Sequence, residues 1–382
     1  MAKKKRKEKK KKFKLSFSLH GMDVFFLAVV LILTAYGLVM VYSASAPSAF
    51  YAHDDSMYFF KSQAIWSVIG IAAMFFSASV DFSLVKKFAL PLYVVSMLLL
   101  AAVLAVGKSF NGAKRWLSLG FATLQPSEIA KITVVIMCAV VLSKIDYINV
   151  KETIPNIISV GIIFGICALL LIFEPHFSAI LIIAAAVGIM MLAAGVPFRV
   201  FLPLGVAGGI GAAALAVFSP YRMERLMAFT DPFKYKMDEG YQVVQSLYAI
   251  GSGGLAGVGL GRSRQKYLYI PEPQNDFIFS IICEELGFIG AVLVIVLFAL
   301  LLWRAVKIAI NAPDRFSMLL VFGLISVTIV QVMLNIGVTT SCVPNTGIPL
   351  PFFSAGGTSF IFQMISMGLI LNVSSQAKVV LE

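Results

Sequence analysis

The chain is a succession of long apolar runs separated by short polar punctuation. A membrane-spanning helix needs about 20 mostly apolar residues. Ten runs meet or approach that length, at about 23–42, 62–79, 88–106, 127–143, 154–173, 177–195, 198–218, 277–301, 317–338 and 357–374. The alternating segments of about ten residues that mark a membrane barrel are absent, and in lipid only helices satisfy their own backbone over such lengths. The pattern predicts an all-α polytopic membrane protein with ten transmembrane helices. The first run, Val24 to about Val41, follows a basic segment and precedes SASA at Ser43–Ala46, as in a secretory signal. It exceeds the roughly 7–15 residues of a signal's apolar core and further spans follow, so it is expected to be retained as a helix.

Two stretches break the rhythm. Residues 219–276 form one long polar interval, which at that length is uncommon unless it is functional. Within it, Gly240–Ile250 (GYQVVQSLYAI) has apolar residues spaced for a short helix lying on a membrane interface. Pro344–Ser359 (PNTGIPLPFFSAGGTS) is too rich in Pro and Gly for a helix and reads as an ordered loop or re-entrant segment, tolerable at membrane depth only if protein or water covers it. No internal repeat marks an inverted-repeat transporter. The organisation expected is a basic tail over 1–22, a membrane domain over 23–374 with the large loop at 219–276, and a short tail over 375–382.

Composition strengthens the membrane reading. Hydrophobic residues make up 59% and charged residues 13% of the chain, against roughly 25% charged in soluble domains. The net charge of +12 is mostly a tail effect, because residues 1–14 hold ten Lys/Arg and one Glu. Such a tail fixes orientation and meets anionic lipid; nucleic acid is not the expected partner. With the tail inside, the inner loops and both termini collect nineteen of the 31 Lys/Arg, so both termini are predicted cytoplasmic and the 219–276 loop extracytoplasmic. Cys138, Cys167, Cys283 and Cys342 are scattered without a paired motif, and His20, His53 and His176 lack ligand spacing, so spacing indicates neither disulfides nor a metal site.

The charged residues that remain are few and clustered. Asp276 stands at the edge of a span, after Pro271, Pro273 and Asn275. A carboxylate there can take a proton from a hydroxyl; equally, Asn275 or Asp276 before Phe277 suits a helix N-cap. Arg262, Arg264 and Lys266, beside the glycine-rich Gly251–Gly261, suit a phosphate or pyrophosphate or are simply solvated. GSGGLA within that run matches a dinucleotide-binding pattern, but no strand precedes it. Lys114 and Arg115, in GAKRWLSLG, lie outside against the positive-inside trend and form a second candidate anion site. Glu128 and Lys131 share one helix face three residues apart, as a functional pair or a structural one. Glu284 and Glu285 fall two turns into the eighth span, pointing different ways, so at least one should face an internal cavity.

Together, MVYSASA (Met40–Ala46), GAKRWL (Gly112–Leu117), QPSEIAK (Gln125–Lys131), YQVVQSLYAIGSGG (Tyr241–Gly254), GLGRSRQKYLYIPEPQNDFIFSIICEELG (Gly259–Gly287) and NTGIPLPFFSAGGTS (Asn345–Ser359) resemble the SEDS family of membrane peptidoglycan glycosyltransferases, and lean towards its FtsW/SpoVE branch. The resemblance covers nearly the whole chain after the tail. It implies a ten-helix plasma-membrane enzyme that polymerises lipid II at the outer face into a nascent glycan chain, with Asp276 as catalytic base and undecaprenyl pyrophosphate as leaving group. It implies Arg262, Arg264, Lys266, Lys114 and Arg115 as pyrophosphate-binding candidates, Glu128 and Lys131 as a functional intramembrane pair, and Glu284, Glu285, Asn345 and Ser354 in support. It implies a class B penicillin-binding protein as partner, no organic cofactor, and room for a divalent cation, Mg or Mn, through ligands spacing leaves unknown. The sequence departs from the family pattern at His176, where many relatives carry Asp after Glu174–Pro175, and at Ala355, where many carry Tyr. Two other classes fit part of the pattern: a lipid II flippase or transporter, and a non-catalytic scaffold for a transpeptidase.

Overall fold

The computed structural model describes residues 21–110, 113–118, 120, 123–145, 150–217, 220–267 and 269–377, so the basic tail and the last five residues lie outside the described residues. Each of the ten predicted runs falls on one helix: α1 Val24–His53, α2 Tyr58–Ala78, α3 Phe82–Val106, α4 Pro126–Leu142, α5 Val150–Phe173, α6 Phe177–Ala193, α7 Phe201–Val217, α10 Ile278–Ile310, α11 Arg315–Thr339 and α12 Gly357–Gln376. Seven of them (α1, α2, α3, α5, α10, α11 and α12) are long and apolar enough to cross a membrane. Several start where sequence chemistry says they should. The Asp23 carboxylate accepts from the Phe26 N–H (2.8 Å) and that of Asp314 from the Ser317 N–H (2.8 Å), each satisfying a backbone donor the first helical turn leaves free.

Burial sorts the helices. α4 is buried on nearly every face and α11 on most, making them the centre of the bundle. α2, α3 and α5 present large apolar side chains outward, among them Ile65, Val68, Leu98 and Ile162. An outer face this apolar is stable only against lipid or another apolar surface.

Three features differ from the sequence expectation. First, the fold is not purely helical. Strands β1 (Lys108–Phe110), β2 (Ala113–Ser118) and β3 (Thr123–Leu124) form a small antiparallel sheet in that order, pairing Ser109 with Lys114 and Leu117 with Leu124. The AKRWLS segment (Ala113–Ser118) is its middle strand, too short to announce itself by periodicity.

Second, residues 220–276 carry two helices where the sequence suggested one, and the expected short helix packs on the bundle. They contain α8 (Pro220–Thr230) and α9 (Tyr241–Gly253). α9 packs into the bundle, burying Val243, Val244 and Ala249 while the Ser246 hydroxyl donates to the Thr339 carbonyl (2.8 Å).

Third, α10 breaks at Gly287 (φ 65°, ψ −161°). The chain after α9 enters this break: the N–H groups of Val258 and Gly259 donate to the carbonyls of Glu284 and Glu285 (both 3.0 Å), and the Phe288 N–H donates to the Gly254 carbonyl (2.9 Å). Gly287 lies nine residues into α10, about 14 Å along its axis. At that depth non-helical backbone must be covered by protein, and here each strand of the break satisfies the other.

Candidate active site

Asp276 lies in the turn before α10. The expectation that it or Asn275 caps this helix is not met: the N-cap position is Phe277 and no side chain caps the helix end. The backbone carbonyl of Asp276 instead accepts from the Asn335 side chain (2.7 Å), which also donates to the Ile348 carbonyl (2.7 Å). The turn is thereby tied both to α11 and to the Pro/Gly-rich segment before α12, which is indeed non-helical up to Gly356. Gly347 of that segment, at φ 60°, comes so close that a Cβ there would lie 3.2 Å from Asp276 Oδ2. Only glycine combines that backbone with that approach. Ser354 completes the clasp: its hydroxyl donates to the Asn275 carbonyl (2.6 Å) and accepts from the Leu350 N–H (2.7 Å). Two strained residues mark the clasp, Glu272 (φ 47°) and Phe352 (φ 68°), and such backbone strain clusters at functional sites.

The Asp276 side chain is partly exposed, yet protein crowds the carboxyl. Burial and the neighbouring Glu272 carboxylate push its pKa up to about 6, against the opposing pull of Arg225 and Arg115. Among the described residues, those two arginines are the cations that pull it down. Arg225, on α8, donates to the Asn345 carbonyl (3.0 Å) and pairs with Glu239 (3.3 Å). The Asn345 amide holds Gln242 (3.2 Å), and its Oδ1 accepts from the Gly347 N–H (3.3 Å). Arg115, on β2, donates to the Pro175 carbonyl in the turn between α5 and α6. Lys114 beside it is exposed.

Glu128 and Lys131 form a buried ion pair at the N-terminal end of α4 (2.8 Å). Lys131 also donates to Gln331 (3.0 Å), whose amide donates to the Pro349 carbonyl (3.0 Å). The pair is thus wired to the segment that covers Asp276, through Gln331 and, one turn on, Asn335. Sequence reasoning missed both amides. Their signal was two amide side chains four residues apart inside an apolar run, placing them on one helix face.

The cations of the 262–266 segment make other contacts. Arg262 and Arg264 are exposed. Lys266 is buried, pairing with Glu285 (2.8 Å) and reaching Ser43 (3.4 Å). Glu284 accepts from the Ser263 hydroxyl and the Arg264 N–H (2.9 Å for the latter). The cavity expected beside Glu284 or Glu285 is occupied instead by the returning 257–266 chain, whose donors both carboxylates satisfy. Among the described residues no group of three or more His, Cys, Asp or Glu side chains converges as a metal site.

Several buried polar atoms around this centre lack a protein hydrogen-bond partner among the described residues: both Glu174 carboxyl oxygens, His176 Nδ1, Thr346 Oγ1 and Asn335 Oδ1. Such atoms are rare in native interiors. Ser178, at the start of α6, donates to the Thr346 carbonyl (2.9 Å), so the Glu174–His176 turn and the 346–348 segment adjoin.

The family model of the FtsW/RodA/SpoVE type, described as cell cycle protein, matches residues 23–379. Stage V sporulation protein E of Bacillus subtilis is 40% identical over 358 residues, covering 93% of this chain and 98% of the relative. A probable peptidoglycan glycosyltransferase FtsW of Geobacter is 37% identical over 360 residues, covering 94% and 98%. Among solved structures, the rod shape determining protein RodA of Thermus thermophilus superposes with TM-score 0.70 at 27% identity, covering 94% of this chain and 99% of its own. A chain of a peptidoglycan synthase complex that coordinates polymerization and crosslinking superposes with TM-score 0.78 at 27% identity, covering 94% and 98%. Matched from Asp23 to the end of the last helix, in sequence and in fold, this chain belongs to the FtsW/RodA/SpoVE family.

Proposed function

We infer that the chain is a peptidoglycan glycosyltransferase, the activity its FtsW relatives are named for, and that it polymerises lipid II on the outer face of the cytoplasmic membrane. The ten apolar helices cross the bilayer with both termini cytoplasmic, which puts the turn holding Asp276 at the outer face. Asp276 acts as general base. Its carboxylate takes the proton from the 4-hydroxyl of one GlcNAc as that oxygen forms a bond to C1 of the growing chain's terminal sugar. The C1–O bond to undecaprenyl pyrophosphate breaks on the opposite face, its electron pair leaving with the pyrophosphate, so the anomeric centre inverts. The leaving group gains charge, and Arg115 and Arg225 are placed to offset it; Arg262, Arg264 and Lys114 are more distant reserves. Lys266, held by Glu285, serves the fold of the loop.

The observation that carries this reading is a carboxyl at the helix edge, not spent as a cap, whose pKa is raised to about 6 between two arginines. A base poised near neutrality suits proton transfer from a hydroxyl. The partner is a class B penicillin-binding protein, in keeping with the solved complex that coordinates polymerization with crosslinking.

Polymerisation of labelled lipid II by the purified protein with its partner transpeptidase provides the test. Asp276→Asn and Asp276→Ala should lower the rate by about 10²–10⁴-fold, the usual contribution of a general base, while the protein still elutes as a folded species. Equal glycan synthesis by these variants would remove Asp276 from the mechanism. Movement of lipid II between leaflets without polymerisation would instead make the chain a transporter.

A further inference from the structure

Glu174 is the buried acidic group that the mechanism above leaves unused. It follows the last residue of α5 and is 1% exposed, and neither carboxyl oxygen has a hydrogen-bond partner among the described residues. Its position is unfavourable for a negative charge, because the carbonyls at a helix C-terminus present the negative end of the helix dipole. Among the described residues no group hydrogen-bonds its oxygens, and the turn is closed by backbone bonds, the Glu174 N–H to the Leu170 carbonyl (3.1 Å) and the His176 N–H to the Leu171 carbonyl (3.0 Å). A structural role would have supplied partners for a carboxyl at this depth.

The turn is fastened to the active centre from two sides. Arg115 holds the Pro175 carbonyl and acts electrostatically on Glu174, His176 and Asp276 alike. Ser178 holds the Thr346 carbonyl next to Gly347, the residue pressed against the Asp276 carboxyl. His176, 8% exposed, leaves its own Nδ1 unpartnered on the same turn.

We propose that Glu174 is a substrate-contacting residue that, as a neutral carboxylic acid, hydrogen-bonds a hydroxyl or acetamido group of the sugar bound beside Asp276. In that form it offers one O–H donor and a carbonyl acceptor, matching a group that both gives and takes a hydrogen bond. The proposal rests on the placement of the sugar at Asp276. Among the described residues the groups that act on Glu174 are Arg115 from β2 and Cys167 from α5; His176 follows on the same turn, with Arg115 and Lys131 of α4 acting on it. Burial outweighs the Arg115 charge and lifts the Glu174 carboxyl to a pKa of about 8, while His176 is held well below its ordinary value and stays uncharged. Glu174 therefore keeps its proton at neutral pH and loses it in mild alkali, where it could no longer donate.

The experiment is steady-state lipid II polymerisation between pH 5.5 and 9.5 by the full chain with its partner transpeptidase, for wild type, Glu174→Gln and Glu174→Ala. Lipid II binding is measured in parallel on Asp276→Asn protein with and without each Glu174 change. Glu174→Ala should raise KM for lipid II at least tenfold. Glu174→Gln, an uncharged donor and acceptor of similar shape, should stay within about fivefold of wild type at pH 7 and no longer decline above pH 8. An unchanged KM in Glu174→Ala overturns the proposal, as does an alkaline decline that persists in Glu174→Gln. The binding arm separates the two claims. If Asp276→Asn polymerises normally the base assignment fails, while a tenfold weaker lipid II affinity on adding Glu174→Ala, with an alkaline loss of affinity that Glu174→Gln removes, still upholds the Glu174 contact.

Discussion

At the scale of single residues, the proposed mechanism rests on one carboxyl whose proton affinity suits a base. Asp276 spends its carbonyl on Asn335 and leaves its carboxyl for chemistry, and burial beside Glu272 lifts that carboxyl to a pKa of about 6. A base must be ionised to accept a proton, so below this value it is occupied and the reaction slows. The expected result is a kcat/KM for polymerisation that rises tenfold per unit between pH 4.5 and 5.5 and levels off above about pH 6.5. A flat profile across that interval, with folded protein throughout, would sink the assignment. The residue was legible in the sequence because so few charges interrupt the apolar pattern. Its partners were not: Arg225 lies 51 positions earlier and Asn335 59 positions later, and only the fold brings them to it.

At the scale of elements, the broken helix and the returning chain depend on each other. Gly287 adopts φ 65° and ψ −161°, a region essentially reserved for glycine. A Cβ there would stand 2.5 Å from the Leu255 carbonyl oxygen. Gly287→Ala should therefore destabilise the protein by at least about 1–3 kcal/mol from strain alone, seen as a lowered Tm in detergent and a smaller yield of monodisperse protein. Gly251→Ala, in α9 with open space around the added methyl, makes the contrast: it should be neutral or raise stability by about 0.5–1 kcal/mol. If both substitutions behave alike, the break is not what secures the 254–259 segment. Sequence periodicity placed α10 because its apolar run is long. It could not show the break, since one glycine in such a run has no distinctive pattern. It placed the short helix α9 but could not show that its apolar face packs on the bundle, because the same apolar spacing serves a helix on lipid and a helix on protein.

At the scale of the whole molecule, orientation decides whether the site can meet a lipid-linked sugar. The structure provides its own probe. Cys342, just beyond α11 and near the segment covering Asp276, is exposed, whereas Cys138, Cys167 and Cys283 are buried. A membrane-impermeant maleimide applied to intact cells should label the chain once, and Cys342→Ser should abolish the label. Labelling that requires permeabilised cells would turn the bundle over and place Asp276 on the cytoplasmic side.

The sequence by itself determined what is local or additive. The apolar runs located ten helices because burying a helix in lipid needs only length and hydrophobicity. The ordered motifs identified the family, and the resemblance they carry, rather than the local pattern, turned Asp276 from an open choice between helix cap and base into the candidate base. Tertiary structure decided what depends on distance between remote segments. Side-chain types alone could not say that Lys266, Glu284 and Glu285 would be consumed in holding a returning loop, or that Arg115 and Arg225 would be the cations acting on Asp276. Nor could they show that the Glu128–Lys131 pair would reach the site through Gln331, or that Glu174 would be buried with no hydrogen-bond partner among the described residues. Charge attracts charge at whatever separation the backbone allows, and that separation is set by packing.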